Sequence, residues 1–240
     1  MKITALLNAK YFALAMLFQS KVETRYYLNG VFVEPHPDGG VTMVATDGHR
    51  LAAFRDQDGF IDEARIVQMP RAFRNSALKP SRGYLALFES PTNRGCQAHV
   101  FDASGINDDA EGLDEMIADV TAERVKWIGA AIYINGTFPN WRAVVPKMPD
   151  DPAPPPILCV DGYQVADFQE VANRAAFSGV SIIPSTPGGA MIVQCGNDSF
   201  IGILMPRRDS ASFERAIHSW VMKRPEAAQP SDLVDNQEVA

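Results

Sequence analysis

The sequence predicts an α+β fold built from three tandem strand–helix–three-strand units. Three observations predict it. Apolar and polar residues alternate through Val41–Phe54, apolar residues recur at helical spacing after Asn8 and after Tyr163, and a segment with five prolines, Lys147–Pro156, falls before the third unit. A chain of 240 residues, 46% hydrophobic and 21% charged, has the composition of one or two globular domains and not of a disordered tail.

In the first unit, Lys2–Leu7 is predicted as a strand and Asn8 as the cap of a helix running to Gln19, with Tyr11, Leu14, Ala15, Leu17 and Phe18 on its apolar side. Arg25–Glu34 and Val41–Phe54 follow as strands, punctuated by Gly39-Gly40 and Asp47-Gly48. The second unit has Arg65–Met69 as a strand, Pro70 at a helix start, Tyr84–Glu89 and Cys96–Asp102 as strands, and Ala130–Val145 as a last extended segment. The third has Ile157–Val160 as a strand, a helix over Tyr163–Ala176 that turns Val165, Phe168, Val171, Ala172 and Ala175 to one side, and strands Val180–Ile183, Ala190–Gln194 and Phe200–Met205. Expected domains are therefore 1–146, a linker 147–156, a partial domain 157–208, and a tail 209–240 containing a helix at Ser212–Lys223 followed by a disordered end.

The net charge of −7 argues against a nucleic-acid partner only until it is located. From Asp102 to Arg124 the chain carries eight acids and one arginine, so this segment alone accounts for the total. Leu113, Met116, Ile117 and Val120 make it an amphipathic helix by spacing. The body outside this segment and the tail is basic, and Pro70–Arg82 holds Arg71, Arg74, Lys79 and Arg82 without an acid. That stretch is either a phosphate-binding face or a solvated helix surface.

Catalytic motifs are missing. Cys96, Cys159 and Cys195, and His36, His49, His99 and His218, have no metal-ligand spacing, so no metal and no cofactor is expected. No nucleophile elbow or phosphate-binding glycine loop occurs. Asp47 and His49 form an acid–base pair only if Asp47-Gly48 is not simply a turn, and the turn is the simpler reading. Three cysteines suit a reducing cytoplasm with buried thiols, and no apolar run reaches the ~20 residues of a membrane helix. The expectation is a cytoplasmic protein with no membrane partner.

Four stretches then match a known family. Arg25–Gly30 followed by Val44–Ala52 (VATDGHRLA), then Gly136–Pro146 (GTFPNWRAVVP), then Ile203–Arg208 (ILMPRR) resemble, in order, the second domain and closing strand of the bacterial replicative sliding clamp, the DNA polymerase III beta subunit. The resemblance implies a DNA-clamp-like fold of repeated β-α-β-β-β half-units with helices on one face of antiparallel sheets. It further implies a non-enzymatic processivity factor in DNA replication that contacts double-stranded DNA without reading sequence. On the helix side it places Lys10, Arg71, Arg74 and Lys79 toward DNA.

The family's pocket for short linear motifs of DNA polymerase and clamp-loader-type proteins maps onto Leu28, Thr46, Gly48, His49, Arg50, Leu51, Pro139, Val144, Ile203, Met205, Pro206 and Arg208. Two positions depart from the family: Ala143 stands where an arginine is usual, and Arg207 where an apolar residue is usual. The family's first domain has no counterpart, so the expectation is a shortened or divergent clamp. It acts either as a homo-oligomer of about four chains closing a ring, or as a non-ring adaptor or decoy that binds clamp-interacting motifs.

Overall fold

The computed structural model describes residues 2–89, 95–104, 122–147, 159–175, 179–186, 189–196 and 198–207. The chain divides into two compact units, Met1–Arg208 and Asp209–Ala240, and the described residues all belong to the first. The predicted acidic helix, the Pro-rich linker from 148 onward, Arg208 and the Ser212–Lys223 helix lie outside the described residues.

The first unit contributes β1 (Ile3–Asn8), α1 (Ala9–Ala15), β2 (Val31–Pro35), β3 (Val41–Thr46), β4 (Arg50–Asp56) and the short β5 (Phe60–Ile61). The second contributes β6 (Arg65–Gln68), α2 (Arg71–Ala77), β7 (Gly83–Glu89), β8 (Gly95–Asp102) and β9 (Val125–Ile134). The third contributes α3 (Gly162–Arg174), β10 (Ser181–Pro184), β11 (Met191–Gln194) and β12 (Phe200–Leu204). All twelve strands join one sheet in the order β10-β11-β12-β4-β3-β2-β6-β9-β8-β7-β1-β5, and the neighbours pair antiparallel. This is the α+β architecture the sequence predicts.

Alternation along the strands divides the apolar residues between two faces. Ala52 and Phe54 of β4 and Leu204 of β12 point to the main core with all three helices, while Leu51, Ala53 and Ile203 point to a second cluster on the other face. Aromatic rings tie the helical segments to one another: Phe12 of α1 meets Phe73 of α2 edge-on at 5.6 Å, and Phe18, just past α1, meets Phe168 of α3 at 4.8 Å. Gly202 makes the α3 contact possible, because a Cβ there would stand 2.4 Å from Cε1 of Phe168. Cys96 and Cys195 are buried and none of the three cysteines is in a disulfide; burial pushes Cys195 up to about 11, which keeps it protonated and unreactive.

Four local expectations are corrected. Arg25–Leu28, read as strand, belongs to a 3-10 turn over Glu23–Leu28. Its backbone is spent locally, with Arg25 N donating to Val22 O, Asn29 N to Tyr26 O, and Ser20 N to Leu28 O. The first helix also stops early: the Asn8 side chain does cap α1 by accepting from Tyr11 N at 3.0 Å, but the helix ends at Ala15 and tightens into 3-10 bonds at Leu17 and Phe18. The extended segment predicted to reach Val145 ends at Ile134, since Asn135-Gly136 and Pro139 interrupt it and Trp141–Val144 forms another 3-10 turn. In the predicted strand Ile157–Val160, the described residues Cys159 and Val160 are not in the sheet, although Cys159 O accepts from Arg207 N at 2.9 Å.

Phe168 is fully buried between α1 and β12. Phe168→Ala is expected to lower stability by about 3–5 kcal/mol; urea unfolding monitored by circular dichroism checks it.

Candidate functional site

The site is made where β12 lies against β4. The register pairs Ile203 with Leu51 and Leu204 with Arg50, and just past the strand end Met205 N donates to His49 O at 2.9 Å. Residues from the first and last quarters of the chain therefore become neighbours. On the outer face Leu51 and Ile203 cluster with Leu28, Val44, Ala53, Phe138 and Ile192, and Trp141 and Val145 pack against them. Phe32 and Phe138 stack at 4.8 Å with planes only 5° apart.

Glu34 holds the neighbouring 3-10 turn in place. It accepts from Trp141 Nε1 at 3.1 Å and from Arg142 Nη1 at 2.7 Å, so the turn carrying Val144 is bound to β2. Sequence reasoning missed Glu34, Phe32 and Trp141 as parts of this surface. The only available signal was the glutamate on a strand otherwise apolar on that side.

The predicted pocket residues fall into three groups. Leu28, Leu51 and Ile203 form a buried floor. Val144 and Met205 remain 54% and 42% exposed, Gly48, His49 and Pro139 are exposed, and Thr46 and Pro206 are half-buried around that floor. Arg50 departs from the expectation, for strand alternation turns it to the opposite, helix-bearing face. There its side chain, 11% exposed, donates to Asp47 Oδ2 at 3.1 Å, to Leu17 O at 3.1 Å and to Asp167 of α3, and its guanidinium lies 5.0 Å from the Phe18 ring centre.

Thr46–Arg50 is a turn, as the simpler reading held. Gly48 has φ +92, and Thr46 Oγ1 accepts from Gly48 N and donates to Arg50 O. Asp47 Oδ1 accepts from the backbone N of His49 and of Arg50, and Oδ2 from the Arg50 side chain. Its carboxylate is thus engaged by backbone and guanidinium instead of the His49 ring, and no acid–base pair is assembled. Among the described residues no cluster of His, Cys, Asp and Glu suits a metal ion.

On the helix face, Arg71 and Lys79 are exposed and Lys10 is half-buried. Arg74, expected to be available to phosphate, instead donates to Glu170 Oε1 at 3.3 Å, an acid of α3 that also takes Arg174 Nε at 3.2 Å. Asp167 and Glu170 were not foreseen here, because the sequence shows their helix but not which helix or strand it faces. Arg207, at the family's apolar position, is 64% exposed along its side chain and stands 3.9 Å from Asp161.

An antiparallel sheet built from repeated units, backing onto helices on one face, defines the DNA sliding-clamp class of fold. The crystal structure of the Bacillus subtilis DNA polymerase sliding clamp superposes with a TM-score of 0.55 at 13% identity, over 87% of this chain and 64% of that one. A sliding clamp from Bartonella birtlesii, solved bound to griselimycin, gives 0.54 at 15% identity, over 87% of this chain and 68% of that one. No family model matches the sequence. In sequence, the beta sliding clamp of Pseudomonas aeruginosa is 25% identical over 196 residues, 82% of this chain but 42% of its own length. The chain spans less than half the length of that relative.

Arg50 joins the site turn to α3 and to the 3-10 turn that follows α1, whereas the His49 side chain faces solvent. Arg50→Ala is expected to cost about 2–4 kcal/mol by leaving Asp167 and Leu17 O unpaired, and His49→Ala less than about 0.5 kcal/mol; paired denaturant titrations check the contrast.

Proposed function

We propose that the chain is a non-enzymatic sliding-clamp-like platform: it contacts duplex DNA through its helix face and tethers DNA polymerase or clamp-loader-type proteins by a short linear motif seated at the β4–β12 seam. The observation that carries this reading is that Leu28, Leu51 and Ile203, from three separate sequence motifs, meet in one apolar floor with Val144 and Met205 left exposed beside it. Exposed apolar side chains seated on a packed apolar floor are what a linear motif with two or three apolar anchors requires. Thr46, Gly48, His49, Pro139 and Pro206 frame it, and Arg208 completes the proposed set. Arg50 serves the same surface from behind, by holding the turn.

Lys10, Arg71 and Lys79 make no ion pair among the described residues and are the proposed phosphate contacts. Encirclement needs a homo-oligomer closed into a ring. Retention on nicked circular plasmid, with release when the plasmid is linearised, tests it; equal retention on both forms contradicts a ring. The neutralisation of Arg74 by Glu170 favours a second reading, a non-ring adaptor or decoy that keeps the motif site and binds DNA weakly. A protein monomeric by light scattering at every concentration, yet binding motif peptides, would establish that reading instead.

The pocket has its own test. Leu51→Ala combined with Met205→Ala is expected to weaken binding of an apolar-anchored peptide by about 1–3 kcal/mol, measured by fluorescence anisotropy. Unchanged affinity would remove the pocket assignment.

A further inference from the structure

Beside the apolar floor, between the end of α1 and the Asp47–Arg50 turn, lies a depression of about 490 Å³ lined in part by Gln19, Lys21, Arg25 and His49. We propose that it is a cradle for acidic side chains flanking the apolar anchors of the bound peptide, an inference that rests on the peptide-site reading above. His49 belongs to both surfaces, since its backbone oxygen accepts from Met205 N at 2.9 Å. The turn that borders the apolar floor at His49 therefore also borders the depression.

The charge balance of the depression favours an anion. Its one acid, Asp47, is already engaged by Arg50 Nε and by the backbone N–H groups of His49 and Arg50. Arg50 is likewise consumed, by Asp47, Asp167 and Leu17 O. Lys21 and Arg25, by contrast, form no ion pair among the described residues, and Glu23 between them does not line the depression. Gly48 makes room for Arg25, because a Cβ there would stand 2.7 Å from its Nη1. The guanidinium thus lies over the turn with its remaining donors unclaimed.

The neighbouring apolar site favours a peptide over a nucleic-acid backbone: a peptide anchored there by apolar side chains carries its flanking carboxylates past His49 to Lys21 and Arg25.

The test uses the full chain and two fluorescein-labelled decapeptides with the same Leu-Leu-Phe anchor, one preceded by Glu-Asp and the other by the isosteric Gln-Asn. The acidic probe is expected to bind about tenfold tighter than the neutral one at low salt, with the ratio falling as salt is raised. In Lys21→Gln with Arg25→Gln the ratio should fall to about one while affinity for the neutral probe stays within about twofold. Equal affinity of the two probes for the unaltered protein, or a ratio that survives the double substitution, overturns the cradle while leaving the apolar site standing. Failure of both probes to bind the unaltered protein overturns the apolar site and the cradle with it. Loss of binding to a 30-base-pair duplex in the double variant, with the peptide ratio unchanged, would identify the depression as a phosphate site and also overturn the proposal.

Discussion

Everything at the candidate site depends on the antiparallel pairing of β4 with β12. This pairing joins the third unit to the first, and because side chains alternate with period two, a slip of one residue would send Ile203 into the helix core and expose Leu204. Contacts on the inner face specify the register. Phe54 lies 5.0 Å from Phe200, Phe168 lies against Gly202, and these rings fill the space only when Leu204 also points inward. The outer floor of Leu51 and Ile203 is therefore set by packing on the opposite side of the sheet.

The Thr46–Arg50 turn lies on the border between the two faces. Its outer part places Gly48 and His49 at the rim of the apolar floor, and its inner part sends Arg50 into a network with α3 and the 3-10 turn that follows α1. A ligand held at the rim thus presses on a segment anchored by charge-assisted hydrogen bonds within the core side of the molecule. The same α3 that supplies Asp167 to this anchor supplies Glu170 to Arg74, so one helix both stiffens the site turn and lowers the positive charge of the helix face.

The unit pattern was legible in the sequence because period-two and period-3.6 signals are local, and the third unit shows this best: α3 and the strands β10, β11 and β12 lie within a residue or two of the positions their periodicity predicts. What misled was side-chain preference competing with local hydrogen bonding. Tyr26 and Tyr27 favour a strand by type, yet the Val22 and Tyr26 carbonyls close turns around them. The apolar floor was legible at Leu28, Leu51 and Ile203 through motif resemblance. The direction of Arg50, the anchoring of Trp141 by Glu34 and the neutralisation of Arg74 were not, since each depends on a partner distant in sequence.

The central claim is that a linear peptide seats on the outer floor of the β4–β12 seam. Methyl-resolved NMR of the full chain during addition of an apolar-anchored peptide tests it most directly. The account predicts saturable shift changes concentrated at the methyl groups of Leu28, Leu51, Val144, Ile203 and Met205, with Leu14 and Leu85 of the inner core unmoved. Shifts confined to another surface, or none at saturating peptide, would contradict it.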